Sequence, residues 1–93
     1  MLKDNSRTVE VDGIGSVTLD GAQDLTMDDF ADWVDAEREA RLRDARPFLA
    51  RLVVKWDLPH DPKEPGSYGK ITLAQYRGLS KAVTDYLGNI AKN

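Results

Sequence analysis

The stretch Arg7-Thr8-Val9-Glu10-Val11-Asp12-Gly13-Ile14-Gly15-Ser16-Val17-Thr18-Leu19-Asp20 decides the fold. Polar and apolar residues alternate over residues 7–11 and again over 16–20, the period of a strand with one buried face. Asp12-Gly13-Ile14-Gly15 between them supplies the turn, so the segment reads as a β-hairpin. A lone hairpin is marginal in water, and its apolar side must pack on something else. The glycines do not form a phosphate loop, because they join two strands and no Lys-Ser/Thr follows.

Outward from the hairpin the pattern turns helical. Thr26 can cap a helix, with Asp29 three residues on in nearly capping-box spacing. Asp28, Asp29 and Asp32 favour a helix start through the dipole. Phe30, Trp33, Val34 and Ala40 fall roughly on one face. Glu37–Arg41 and Glu39–Arg43 have i, i+4 spacing with the acid first. These signals predict a helix over residues 27–45, with a kink or break at Pro47. For residues 47–57 a helix is favoured, with Phe48, Leu49, Leu52, Val53 and Trp56 on one face. Leu52, Val54, Trp56 and Leu58 fit a strand as well. Residues 57–70, with three prolines following Leu58 and two glycines, are expected to lack regular structure. Thr72 and Gln75 then form a capping box for a last helix over residues 73–91. Tyr76, Leu79, Val83, Tyr86 and Ile90 make a narrow apolar seam, expected to pack on the first helix, and Gly78 permits close backbone approach. The fold class expected is α+β, mainly α: one domain over residues 1–93, with an N-terminal hairpin packed on two or three helices and a frayed segment at 1–6.

With 93 residues, such a domain has a thin core and little room for a deep substrate cavity. Charged residues make up 31% of the chain, above the usual share of about 25%. Cysteine is absent, there is no signal-peptide core near Met1, and no run approaches a membrane span, so a cytoplasmic location is expected. Net charge is −3 but divided: ten acidic and two basic residues over 1–37 give −8, and six acidic and eleven basic over 38–93 give +5. The plain reading is that the halves neutralise each other within one fold. The split also allows one copy's acidic end to meet another's basic end, as in a homo-oligomer.

Candidate chemistry is sparse. Asp57, His60, Asp61 and Glu64 could ligate a metal or pass protons, but their spacing matches no ligand pattern, and turn residues explain them. With one His and no Cys, no nucleophile constellation is present. No catalytic, metal or cofactor-binding residue is therefore expected, and the chain is read as a non-enzyme. The basic run Arg38, Arg41, Arg43, Arg46, Arg51 and Lys55 is interleaved with acids, and nucleic acid is not expected as a partner. The expected partner is another protein. The candidate contacts are Tyr68, as an aromatic anchor in the loop, and Leu79, Val83 and Tyr86 on the last helix.

Taken together, Thr8-Val9-Glu10-Val11-Asp12-Gly13-Ile14-Gly15-Ser16-Val17-Thr18-Leu19, Asp28-Asp29-Phe30-Ala31-Asp32-Trp33, and Val53-Val54-Lys55-Trp56-Asp57-Leu58 before a polar loop and closing amphipathic helix resemble the small tail assembly chaperones of tailed phages and prophages. The resemblance covers most of the chain and is one of texture, without an invariant motif. It implies a protein of the bacterial host cytoplasm that coats a long helical tail protein and keeps it soluble until tail tube subunits assemble around it. No frameshift-extended second domain is evident, a departure from the fuller pattern. A reading from another class is a small acidic inhibitor of a host nuclease or defence complex, with Asp28, Asp29, Asp32 and Asp35 imitating phosphates. A third is a small hydrolase using Asp57 and His60.

Overall fold

The hairpin forms as β1 (Arg7–Val11) and β2 (Gly15–Leu19), antiparallel, with Val9 opposite Val17 and Val11 opposite Gly15. The computed structural model describes residues 6–21 and 24–92, and side chains up to residue 88. Most of the segment expected to fray, and the side chain of Ile90, lie outside the described residues. Ile14 N–H donates to the Val11 carbonyl at 3.0 Å across the turn. Gly13 takes a φ of +83° there, a conformation that costs a residue with a Cβ.

α1 (Met27–Arg38) opens with the expected capping box: Asp29 N–H donates to Thr26 Oγ1, and Thr26 N–H donates to the Asp29 carboxylate, both at 3.1 Å. The helix stops seven residues short of the expected end. Ala40 adopts φ +56°. Arg41 N–H donates to the Ala36 carbonyl at 2.8 Å and Ala40 N–H to that of Glu37 at 3.3 Å. This pair of bonds is a Schellman closure with alanine where glycine is usual. Arg41 braces the corner by pairing with Glu39 at 2.8 Å and Asp44 at 2.9 Å. The expected pairs Glu37–Arg41 and Glu39–Arg43 do not form, because the helix that would align them has ended.

α2 (Leu42–Leu52) continues through Pro47, where the sequence predicts a kink or break. Proline here removes only the bond to the Arg43 carbonyl, at an exposed turn. Tertiary packing sets the corner instead. It folds α2 back so that Trp33 stacks on Phe48, ring centroids 5.0 Å apart and planes 14° from parallel. Since the Cβ of Ala40 opposes φ > 0, Ala40→Gly is expected to stabilise the protein by about 1 kcal/mol, measured as a higher urea midpoint with an unchanged m-value.

The ambiguous run 47–57 is helix in its first half and strand in its second. β3 (Val53–Lys55) follows α2 directly and pairs antiparallel with β2, giving a three-stranded sheet of order β1-β2-β3. The β-branched pair Val53-Val54 disfavours another helical turn and fits the open edge of β2. The Pro/Gly segment is more ordered than its composition suggests, with a 3-10 helix over Pro65–Gly69.

α3 (Leu73–Lys92) begins with the predicted box. Thr72 N–H donates to Gln75 Oε1 at 2.8 Å, and Gln75 N–H donates to Thr72 Oγ1 at 3.0 Å. Gln75 Nε2 also reaches the Gly13 carbonyl at 2.7 Å, tying this helix to the hairpin turn. The seam of α3 packs chiefly across β1, not along α1 as expected. Gly78 permits that approach: a Cβ there would lie 2.9 Å from Cγ1 of Val11. The core lies between the inner sheet face (Val17, Leu19, Val53), α2 (Leu49, Leu52) and α3 (Leu79, Val83, Tyr86). The protein is thus α+β and mainly helical, an N-terminal hairpin extended by one strand and packed with three helices. No described helix is long and apolar enough to cross a membrane.

Candidate protein-binding surface

The four residues offered by the sequence as contacts do not form a surface. Tyr68 is buried, tilted against Trp56 with ring centroids 5.1 Å apart. Its hydroxyl is placed to donate to the carbonyls of Pro62 at 2.7 Å and Leu49 at 3.4 Å. The 3-10 helix folds the loop back onto α2, which turns an expected anchor for a partner into one for the chain itself. Leu79, Val83 and Tyr86 are buried too. A domain this small must spend its most regular apolar seam on its own core.

The Asp57–His60–Asp61–Glu64 set also separates into local roles. Asp57 Oδ2 accepts the Ser16 N–H at 2.8 Å and lies where a Cβ on Gly15 would be. The His60 carbonyl accepts Trp56 Nε1–H at 2.6 Å. Asp61 Oδ1 accepts the Lys63 N–H at 2.9 Å. Among the described residues no three His, Asp or Glu side chains converge as metal ligands would. Asp57→Ala is expected to cost about 1 kcal/mol through loss of the Ser16 hydrogen bond, seen as a lower thermal midpoint with the far-UV spectrum unchanged.

A surface does emerge on α1. Trp33 and Ala36 face the core, leaving Met27 89% exposed, Phe30 46% exposed and Val34 exposed beside them. At 100° per residue, Met27, Phe30, Ala31 and Val34 fall within an arc of about 100°. Phe30 and Val34, read from the sequence as roughly on one face with Trp33, lie on the flank of the buried face. Asp28 and Asp35 border the stripe, and Asp32 lies further round the helix. Asp29 pairs with Arg51 at 3.1 Å and Asp35 with Arg38 at 2.7 Å, whereas Asp28 and Asp32 face solvent without a cationic partner among the described residues. The Thr26 backbone N–H, supported by Arg51, holds the Asp29 carboxyl below its ordinary range. The spacing i, i+3, i+7 of Met27, Phe30 and Val34 was visible in the sequence. The angular offset from Trp33 and Ala36 is what separates stripe from core.

A second apolar surface lies where the α1–α2 corner meets the start of α3. A groove of about 350 Å³ is lined by Glu37, Ala40, Leu42, Leu73, Tyr76 and Arg77. Leu73 is 69% exposed, and Leu42 is exposed as well. A smaller cavity of about 140 Å³ shares Leu42, Leu73 and Tyr76 and extends the groove to Arg46, whose guanidinium lies against Gly69. Within it the Glu37 carboxylate accepts hydrogen bonds from the hydroxyls of Tyr76 and Ser80, joining α1 to α3. Burial, reinforced by Glu37, pushes the Tyr76 phenol up, and burial beside the Asp61 charge pushes the Tyr68 phenol up.

Folding therefore favours the protonated form of both phenols. Their contribution is complete below the ordinary phenol pKa of about 10 and is lost as pH rises beyond it. Stability is expected to fall steeply above that pH in circular-dichroism titrations. Tyr76→Phe should move the alkaline transition upward while lowering stability at neutral pH. An unmoved transition would assign the loss to other groups.

Compared with known protein families, curated proteins and solved structures, the chain matches none.

Proposed function

We propose that the chain is a non-catalytic protein-binding module that acts as a tail assembly chaperone, covering apolar stripes on a long helical client until the client is packaged. The observation that carries this reading is the α1 surface: three large apolar side chains at helical spacing, bordered by carboxylates. Helix-in-groove and helix-on-helix recognition read such i, i+3, i+7 anchors. The unpaired Asp28 carboxylate beside the stripe favours a client whose own stripe is flanked by Lys or Arg, and it keeps the complex hydrated.

The inhibitor reading draws on the same helix but has less to work with. Asp29 is committed to the capping box and Arg51, and Asp35 to Arg38. Two of the four proposed phosphate mimics therefore already have partners.

The deciding experiment is affinity capture from a prophage-induced host culture, with mass spectrometry and stoichiometry, using the wild-type chain and Phe30→Asp. Recovery of a very long helical protein carrying many copies of the chain, lost with Phe30→Asp, is the expected result. Recovery of a nuclease or defence complex at near-equal stoichiometry, sensitive to charge reversal at Asp28 and Asp32, would overturn it.

A further inference from the structure

We infer that, in the absence of a client, the α1 stripe of one copy is covered by the Leu42–Leu73–Tyr76 groove of a second copy. The two surfaces are complementary in form. The stripe is the convex flank of a helix, with Met27 and Phe30 projecting. The groove is concave and lined by Leu42, Leu73 and Tyr76, and its volume of about 350 Å³ reaches the range of sites that hold small ligands, about 300–1,000 Å³. Both expose large apolar side chains that gain by leaving water.

They are also complementary in charge. Asp28, which borders the stripe, has no cationic partner among the described residues, while Arg38 at the end of the stripe is neutralised by Asp35 at 2.7 Å. Arg77, which lines the groove, and Arg46, which lines its extension, have no acidic ion-pair partner among them. Glu37, the one acid in the groove, is occupied by Tyr76 and Ser80. The stripe thus carries one uncompensated carboxylate, Asp28, and the extended groove two guanidinium groups without an ion-pair partner among the described residues. A like-with-like arrangement, stripe on stripe, would bring one copy's Asp28 near the other's and leave the groove's guanidinium groups without a counter-charge.

An interface built on so few side chains falls in the small, reversible class. It shields the stripe and gives way when a client with a longer apolar face competes for it. That competition rests on the client-binding reading of α1, but the self-association does not and is measured on the purified chain alone.

The test is sedimentation of the purified full chain and of two variants at exposed positions, Phe30→Asp in the stripe and Leu73→Asp in the groove. Circular dichroism first establishes that each variant melts as the wild type does. The wild type should show an average mass that rises above the monomer with concentration, an effect weakened at high salt as screening reduces the charge attraction. Each variant alone should remain monomeric, because every contact it could make would use a damaged face. Mixed together they should form a one-to-one complex, since one supplies an intact groove and the other an intact stripe. A wild type that stays monomeric at all concentrations overturns the inference. So does a mixture that fails to associate, or association that persists in either variant alone. Failure of client capture with this pattern intact would refute the chaperone reading and leave the contact between copies standing.

Discussion

Leu79→Ala is expected to lower stability by about 3 kcal/mol, near the middle of the range for truncating a buried leucine. Leu79 is fully buried, one residue after the glycine that lets α3 close on Val11. Its neighbours cannot collapse into the void, because they belong to a sheet and a helix fixed by other contacts. For a domain of this size the loss corresponds to a thermal midpoint lower by about 12–24 °C. A contact role on the surface would have the opposite signature, a normal melt and lost binding. Thermal and urea melts of the single variant separate the two, and an unchanged midpoint would mean that the α3 seam is not core.

Trp33→Ala should be at least as costly, about 3–5 kcal/mol. Trp33 is buried and stacked on Phe48, and this contact sets how α2 folds back at the Ala40 corner. Its loss releases α1 from α2 and should reduce the cooperativity of unfolding as well as its midpoint. Three residues earlier on the same helix, Phe30→Asp should change stability by less than about 1 kcal/mol, in the range of surface substitutions. The same change should abolish association. The pair is informative because the residues are chemically alike and close in sequence, yet one serves the fold and the other the surface. Equal destabilisation by both would place Phe30 in the core and remove the stripe.

The parts of this fold that could be read from the sequence are those governed by neighbours along the chain. The hairpin, the Thr26–Asp29 and Thr72–Gln75 boxes and the start of each capped helix depend on contacts within a few residues, and all are present. The misread features depend on contacts far along the chain. Ala40 carries no local signal for φ +56°; the corner exists because Trp33 and Phe48 must meet. Val53 and Val54 fit either periodicity until the open edge of β2 is available. Tyr68 lies in a segment whose prolines and glycines forecast a loop, but not that the loop would return its hydroxyl to the carbonyls of Leu49 and Pro62. The candidate surface was hidden for a related reason. Phe30, Val34 and Trp33 occupy adjacent arcs of one helix, and only the packing of α2 decides which arc is covered.

The strand order β1-β2-β3 leaves two outer strands whose free backbone edges could template ordered aggregates. Both are poor templates. β1 carries Arg7 and Glu10, and β3 is three residues long and ends at Lys55. A protein with exposed apolar side chains on α1 and α3 is prone to stick to its own kind. Blunted strand edges direct that stickiness to helical surfaces, where contacts are reversible, and away from intermolecular strand pairing, where they are not. Resistance to fibril formation at high concentration is therefore expected to come from the strand edges and not from the helical surfaces.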